Sequence, residues 1–517
     1  MEQIPSAVPA TAPQDGEIRA RWAWVEPTVW TERMLTTLET GIEGGKWFRL
    51  IDKVWSPKNL GSSLEKVVAK GGSAGVDHQS ASQIEVHKEQ TIAKLEQELR
   101  TRQYQPQAVK RVWIPKAGSK EKRPLGVPTL RDRIVQGALL HVMEPIFERD
   151  FAPQSYGFRP GKGCKDALRR VDKLLESGYH WVVDADLKGY FDSIPQAGLM
   201  ERIKEKIADG RVLELVEQML HAGVMESAKG WQPTDKGTPQ GAVVSPLLSN
   251  IYLDGLDWKM ARNGIEMVRY ADDFILLCRS QQEAQEALEQ VQRWVEENGL
   301  QLHPTKTRLV NASLAGGFDF LGYHFERGMK WPRKKSMDKL KETIRQKTRR
   351  TEGRSMRTIC EDLSLTLRGW FGYFKHGKAN VFENVDAYVR GRLRSILRKR
   401  NKKKGRGRGR DHQRWPNAYF TTMGLYSLTQ AHVVACRSFF KVTTNWRAEC
   451  KKTACSVRRE GRSFPLSLPL SVFDLSLVPV TLHRPESRHP FCNSDFLLVP
   501  FLRTRGVEFA CPSDVTI

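Results

Sequence analysis

At 517 residues the chain is too long for one ordinary core, and three or four folding units are the expectation. Its 83 Lys and Arg against 59 Asp and Glu leave a net charge of +24 and a pI near 9.7, which points to a polyanionic partner, nucleic acid being the usual one. Eight mostly isolated cysteines fit a reducing cytoplasm rather than a disulfide framework, and the sequence offers neither a secretion signal nor an apolar run of about 20 residues that would indicate membrane insertion.

Residues 1–18 are rich in Pro, Ala and Thr and read as disordered. Residues 19–70 carry Trp22, Trp24, Trp30, Trp47 and Trp55 at helix-like spacing, which predicts an N-terminal helical extension. Gly71-Gly72-Ser73-Ala74-Gly75 reads as a flexible joint. From about 85 to 180 the pattern is helical with one hairpin, Ala108–Pro115 then Arg123–Pro128, joined by a polar, cationic loop from Lys116 to Lys122.

Two acidic segments follow. Trp181-Val182-Val183 is an apolar run that ends in Asp184 and Asp186. Met267–Tyr270 and Phe274–Cys278 are strand-like and enclose Asp272-Asp273 with no polar loop in which those acids could be solvated. Adjacent acids at a tight turn ordinarily serve only the turn. Here unpaired carboxylates would be costly unless a cation neutralises them. Magnesium takes hard oxygen ligands and is held by one or two carboxylates plus substrate phosphates, and Asp186 supplies a third carboxylate if the two strands lie side by side. Two such ions roughly 4 Å apart can activate a 3′-hydroxyl and stabilise a leaving pyrophosphate oxygen in one in-line displacement.

Ala284, Leu288, Val291 and Val295 recur at helical spacing before Gly299, and Leu300–Val310 reads as a strand returning to the sheet. Phe318–Phe325 forms a hydrophobic hairpin. Residues 335 to about 430 are helical and basic. Trp370, Phe371, Tyr373 and Phe374 have two readings, stacking faces for bases or helix-bundle core, and such density favours core for at least Trp370 and Phe374. The nearby cations Lys375 and Lys378 are the better candidates for RNA. Between Arg390 and Arg410 stand 12 Lys or Arg and no acid. Arg398, Lys399, Arg400, Lys402, Lys403 and Lys404 are the candidate phosphate contacts, and the Gly-Arg alternation at 406–410 is expected to order only on a partner. Cys450, Cys455, Cys492 and Cys511 are poorly spaced for zinc, and residues 431–517 read as an atypical tail rich in Pro, Leu and Ser.

Several of these segments carry a family resemblance. Tyr270-Ala271-Asp272-Asp273 resembles the YxDD box of reverse transcriptases, and Asp186-Leu187-Lys188-Gly189-Tyr190-Phe191-Asp192 their first palm motif. Thr238-Pro239-Gln240-Gly241 followed by Ser245–Asn250 is similar to the PQG box between them. Arg123–Pro128 and Ser155–Gly161 look like bacterial group II intron reverse transcriptases, or maturases, and Leu367–Phe374 resembles the maturase-specific domain that follows the polymerase there.

The resemblance implies an α+β right-hand polymerase over 71–330, with fingers and a ferredoxin-like palm built on an antiparallel sheet. An α-helical thumb and maturase domain would follow over 331–430. It implies an RNA-directed DNA polymerase with two Mg2+ ions on Asp186, Asp272 and Asp273. Lys116, Arg123, Phe191 and Gln240 would bind the nucleotide, with Asp184 and Asp192 in supporting places. Phe191, or its neighbour Tyr190, would lie beneath the incoming sugar and exclude a 2′-hydroxyl, and strand alternation would decide which. The implied partners are intron RNA as template, a DNA primer or target, and dNTPs. The role would combine reverse transcription, assistance to splicing, and intron mobility without an HNH endonuclease. The other readings are a stand-alone or defence-type reverse transcriptase and a binding-only splicing maturase.

Overall fold

The computed structural model describes residues 15–436 apart from 43, 116–121, 227, 406 and 408. The expectations for residues 1–14, for Lys116 and for most of the 431–517 tail lie outside the described residues. Strands in chain order are β1 (Val109–Pro115), β2 (Lys122–Val127), β3 (Trp181–Asp186), β4 (Val224–Glu226), β5 (Gly230–Gln232) and β6 (Glu266–Tyr270), then β7 (Asp273–Cys278), β8 (Arg308–Asn311), β9 (Phe318–Phe320), β10 (Tyr323–Glu326) and β11 (Met329–Pro332). Helices occupy most of the remainder up to Thr422.

The central sheet runs β6-β7-β3-β8, with every neighbouring pair antiparallel. Numbered by sequence within the sheet that order is 2-3-1-4, the ferredoxin-like arrangement the acidic segments imply. Helix Gln281–Glu297 covers one face. Its N-cap Ser280 accepts a hydrogen bond from the Glu283 amide, and Ala284, Ala287, Val291, Trp294 and Val295 are buried beneath it. Fully burying an aliphatic side chain of this size contributes roughly 1.5–3 kcal/mol. Gly299, at φ +67°, turns the chain where the periodicity stops.

A second sheet, β2-β1-β4-β5, contains the predicted hairpin, with β1 antiparallel to β2 and parallel to β4. The third, β11-β10-β9, shares its core with helix Met356–Phe374. The Tyr323 hydroxyl donates to the Tyr373 carbonyl, and the Tyr373 hydroxyl to the Leu321 carbonyl, each at 2.7 Å. Phe371, Tyr373 and Phe374 are buried and Trp370 packs against the same cluster, so the aromatic run is core. It offers no stack of open faces to bases.

Four sequence expectations need correction. Residues 15–18, read as disordered, begin helix Asp15–Arg21. None of the five early tryptophans sits in a helix. Trp22, Trp30 and Trp47 are buried in the connections, Trp30 edge-on to Trp47 with ring centroids 5.5 Å apart. Large side chains close the gaps between the short helices Glu32–Thr40, Ile51–Val54 and Pro57–Lys70. Gly75 is no slack joint, because a Cβ there would lie 2.6 Å from the Thr129 Cα. Finally, the returning strand is only β8. Residues 300–307 wrap instead around the end of β3, where the His303 amide donates to the Asp186 carbonyl at 2.7 Å and Pro304 has no amide hydrogen to offer a ladder.

Candidate active site

Antiparallel pairing of β3 with β7 places Asp186 directly opposite Asp273, and Asp184 opposite Ile275. Asp272 precedes β7 in the turn that joins it to β6. The turn is tight because Ala271 adopts a left-handed φ of +59°, which costs a non-glycine residue about 1–2 kcal/mol and is tolerated only where the surroundings fix it. Three carboxylates are thereby gathered at one end of the sheet.

Burial raises the pKa of Asp273, and the neighbouring Asp272, Asp184 and Asp186 push it further, to about 8, against the opposing charge of Arg333. Asp272 is raised for the same leading reason, with Asp186 adding to it and Arg269 and Lys306 opposing. Such a site is short of positive charge. Two cations already address it: the Lys306 ammonium is paired with the Asp186 carboxylate, and the Arg308 Nε donates to Asp184 at 3.0 Å. Asp184 thus has a structural partner. Among the described residues no three of His, Cys, Asp and Glu converge closely enough to enclose a metal by themselves. Hard carboxylate donors that leave most of a coordination shell to water and phosphate oxygens suit a hard divalent cation, which would also relieve the cost of ionising Asp273.

Beyond Asp186 the chain does not continue as a strand. Gly189, at φ +58°, starts the short helix Tyr190–Ser193. Helical geometry, not strand alternation, therefore separates the two aromatic candidates. Tyr190 is anchored by its hydroxyl to the Ser249 carbonyl at 2.8 Å. Phe191 is 8 % exposed, packs edge-on to Tyr190 at 5.6 Å, and has no polar anchor on its ring.

The Gln240 amide donates to Asp192 at 3.2 Å. Both border a cavity of about 470 Å³ that is also lined by Arg111, Trp113, Pro124 and Lys236. Burial raises the Asp192 pKa, and Arg111 opposes the shift. Close backbone contact holds this wall together: the Gly126 amide donates to the Gln240 carbonyl at 2.6 Å, and a Cβ at Gly126 would meet that oxygen at 3.1 Å.

Arg123 lies on β2 opposite Ile114 and does not line that cavity. Arg111, two strand positions from Trp113 on β1, does line it, and the sequence reading passed it over. Lys306, Arg308, Arg269, Asp257 and Asn250 were also missed. Lys306 and Arg308 reach Asp186 and Asp184 across 120 and 124 residues, and Asn250 and Asp257 act through Arg269, so only Arg269 is local to the turn and no sequence pattern announces the set. The PQG-like and Ser245–Asn250 segments were the nearest signal.

The candidate RNA contacts fall into two groups. Lys375 and Lys378 sit between helices Met356–Phe374 and Ala379–Arg400, and the Lys378 ammonium lies 4.0 Å from the centre of the Trp331 ring. Arg398 through Lys404 lie at the far end of the 22-residue second helix, about 33 Å away at 1.5 Å per residue. Arg398 is bound to Asp411 and to the Lys404 carbonyl, and Arg400 to the Glu352 and Arg354 carbonyls. Lys399, Lys402, Lys403 and Lys404 are exposed. Arg394, from the same charge run, is buried and donates to the Trp415 carbonyl at 3.0 Å, so the run is not uniformly a solvated face.

The chain is similar to known proteins over both its sheet-bearing and its helical regions. Residues 114–325 match the family model described as reverse transcriptase (RNA-dependent DNA polymerase), and residues 337–415 match the group II intron maturase-specific domain. Protein YkfC of Escherichia coli (strain K12) is 32 % identical over 350 residues, which cover 60 % of this chain and 86 % of that protein. The group II intron-encoded protein LtrA of Lactococcus lactis subsp. cremoris is 42 % identical over 171 residues, 33 % of this chain and 28 % of that protein. Among solved structures, a partial Cas6-RT-Cas1–Cas2 complex aligns at 28 % identity over 48 % of this chain and 41 % of that one, with a TM-score of 0.32. No described helix is long and apolar enough to cross a membrane. The chain belongs to the reverse transcriptases, RNA-dependent DNA polymerases, that carry a group II intron maturase-specific domain.

Proposed function

We propose that Asp186, Asp272 and Asp273 form the polymerase centre and hold two magnesium ions, and that the chain copies intron RNA into DNA from a DNA primer while assisting that RNA to fold and splice. The observation that carries this reading is the cross-strand register of Asp186 with Asp273, with Asp272 beside them on the turn. When bound, magnesium would lower the cost of ionising the attacking hydroxyl and offset charge on the departing pyrophosphate.

The remaining work falls to the protein. Position and charge account for most of phosphoryl-transfer catalysis. The cavity bordered by Arg111 and Gln240 receives the nucleotide. Arg111 neutralises phosphate there, and Gln240, held by Asp192, supports the nucleotide through its amide. Arg123 on β2, and Lys116, which follows β1 in the sequence, are the further candidates for neutralising triphosphate charge. Phe191, next to the cavity-lining Asp192 in sequence, is the candidate ring beneath the sugar, and a 2′-hydroxyl directed at that buried ring would lose its hydrogen bonds without replacement. Lys399, Lys402, Lys403 and Lys404, with Lys375 and Lys378, bind RNA phosphates outside the centre, and Arg398 and Arg400 brace the loop that displays them.

The test is nucleotide incorporation by the purified chain on an RNA template with a DNA primer, run in parallel with dNTPs and with rNTPs. The expected result is magnesium-dependent extension with dNTPs on RNA and little with rNTPs. A folded, RNA-binding protein that extends no primer would sink the polymerase reading and leave a binding-only splicing factor.

A further inference from the structure

We infer that a buried cluster of Arg269, Asp257 and Asn250 positions the acidic turn, with Arg269 holding the Ala271 carbonyl and thereby fixing the backbone that carries Asp272 and Asp273. The inference rests on the polymerase reading for its purpose and on the following contacts for its geometry.

Arg269 is the last inward residue of β6 before the turn, and its side chain and that of Asp257 are almost wholly buried. The guanidinium meets Asp257 as a fork, Nε to Oδ1 at 2.8 Å and Nη2 to Oδ2 at 2.5 Å. Burial opposes the Arg269 charge, and Asp257 more than offsets that. The remaining nitrogen, Nη1, donates at 2.9 Å both to the Asn250 Oδ1 and to the carbonyl of Ala271. That carbonyl belongs to the one residue of the turn with a left-handed φ, immediately before Asp272.

Asn250 carries the restraint to the back of the turn. Its Nδ2 donates to the Gly157 carbonyl at 2.9 Å, and Gly157 lies flat on the turn, where a Cβ would come within 2.8 Å of the Tyr270 carbonyl carbon and closer still to the Ala271 nitrogen. Flanking amides complete the grip. The Tyr156 amide donates to the Arg269 carbonyl, the Arg269 amide to the Gln154 carbonyl, and the Gln154 side chain to the Asp257 carbonyl. Asn250 and Asp257, two turns apart on helix Ser245–Arg262, therefore lie on one face and hold the same guanidinium.

A buried ion pair is by itself weak ground for stability, since an apolar replacement often serves the core as well. An apolar replacement could not hold the Ala271 carbonyl. That contact assigns the pair a positioning role. It also gives the Ser155–Gly161 and Ser245–Asn250 motifs a physical task, since Gly157 packs directly on the turn and Asn250 ties it to Arg269.

The experiment compares wild type, Arg269→Lys and Asn250→Ala, with Leu277→Ala as a destabilised control in the buried part of β7. Arg269→Lys keeps a charge for Asp257 and loses the fork. Amide hydrogen exchange is followed at residues 271–273, and single-nucleotide incorporation gives kcat and KM. Misplacing reacting groups by an ångström can cost on the order of 100-fold. In both cluster variants the turn should exchange at least about tenfold faster and kcat should fall roughly 10- to 100-fold with KM for dNTP little changed. Leu277→Ala should melt earlier but keep its turn protection and, below its melting temperature, its kcat. Unchanged turn protection in the cluster variants, or losses of kcat no greater than in a control of equal stability, would overturn the inference. If Arg269→Lys does not fold, Asn250→Ala decides. Exchange is read without turnover, so an inactive wild type would contradict the polymerase reading and still leave the positioning role decided by the turn.

Discussion

At the scale of single residues, environment separates side chains that sequence alone leaves equivalent. Tyr190 and Phe191 are adjacent aromatics, yet Tyr190 is tied by its hydroxyl to the Ser249 carbonyl whereas the Phe191 ring is held by packing alone. If the Phe191 ring excludes the 2′-hydroxyl, Phe191→Val should lower the ratio of kcat/KM for dNTP over the matching rNTP by about 10- to 100-fold; an unchanged ratio would remove Phe191 from sugar selection. Away from the centre, Glu144 is driven up to about 7, first by burial and then by Glu148, with Lys66 opposing. The unfolded chain releases that proton near 4.5, so the folded state binds more protons between the two values. The stabilisation is fully present below 4.5 and is lost as pH rises through about 7. Glu144→Gln keeps the shape and removes the titration. Denaturant unfolding should show it gaining on wild type from pH 5 to pH 8, by on the order of 2 kcal/mol at the upper end. A constant difference across that range would contradict the assignment.

At the scale of elements, the third sheet joins the palm to the helical region through its aromatic core. Phe320 is wholly buried on β9, and Phe318 stacks on Phe325 at 5.0 Å between ring centres. Phe320→Ala should lower unfolding free energy by about 3–5 kcal/mol, measured in denaturant. A loss under about 1 kcal/mol would mean that this hairpin is not part of the common core. Element identity was readable where an apolar run or one helical period dominated, as in Trp181–Val183 before the acids or the Ala284–Val295 stripe. It was unreadable where tertiary contacts overrode local pattern. Leu300–Thr307 has the apolar content of a strand but turns around the end of β3, and the early tryptophans fill spaces between helices whose packing no spacing rule encodes. The three acids were legible because carboxylates enclosed by apolar strands are physically anomalous. Lys306, Arg111 and Arg269 were not, because an isolated cation in a basic chain is unremarkable until the fold sets it beside an acid.

At the scale of the whole molecule, a net charge of +24 makes nucleic-acid binding depend on salt, since each neutralised phosphate releases counterions. Replacing Lys399, Lys402, Lys403 and Lys404 by Ala should weaken RNA binding and reduce the steepness of log affinity against log salt by about 3, while an unaltered slope would move the RNA surface elsewhere. The central claim is narrower than overall affinity: three carboxylates, joined by strand register, run the polymerase. The most direct measurement is single-turnover dNTP incorporation on poly(rA)/oligo(dT) with magnesium, comparing wild type with Asp272→Ala at equal occupancy of primer–template. The expected result is undiminished primer–template binding and a loss of at least about 1,000-fold in the incorporation rate. A variant that binds equally well and extends the primer at the wild-type rate would contradict the claim.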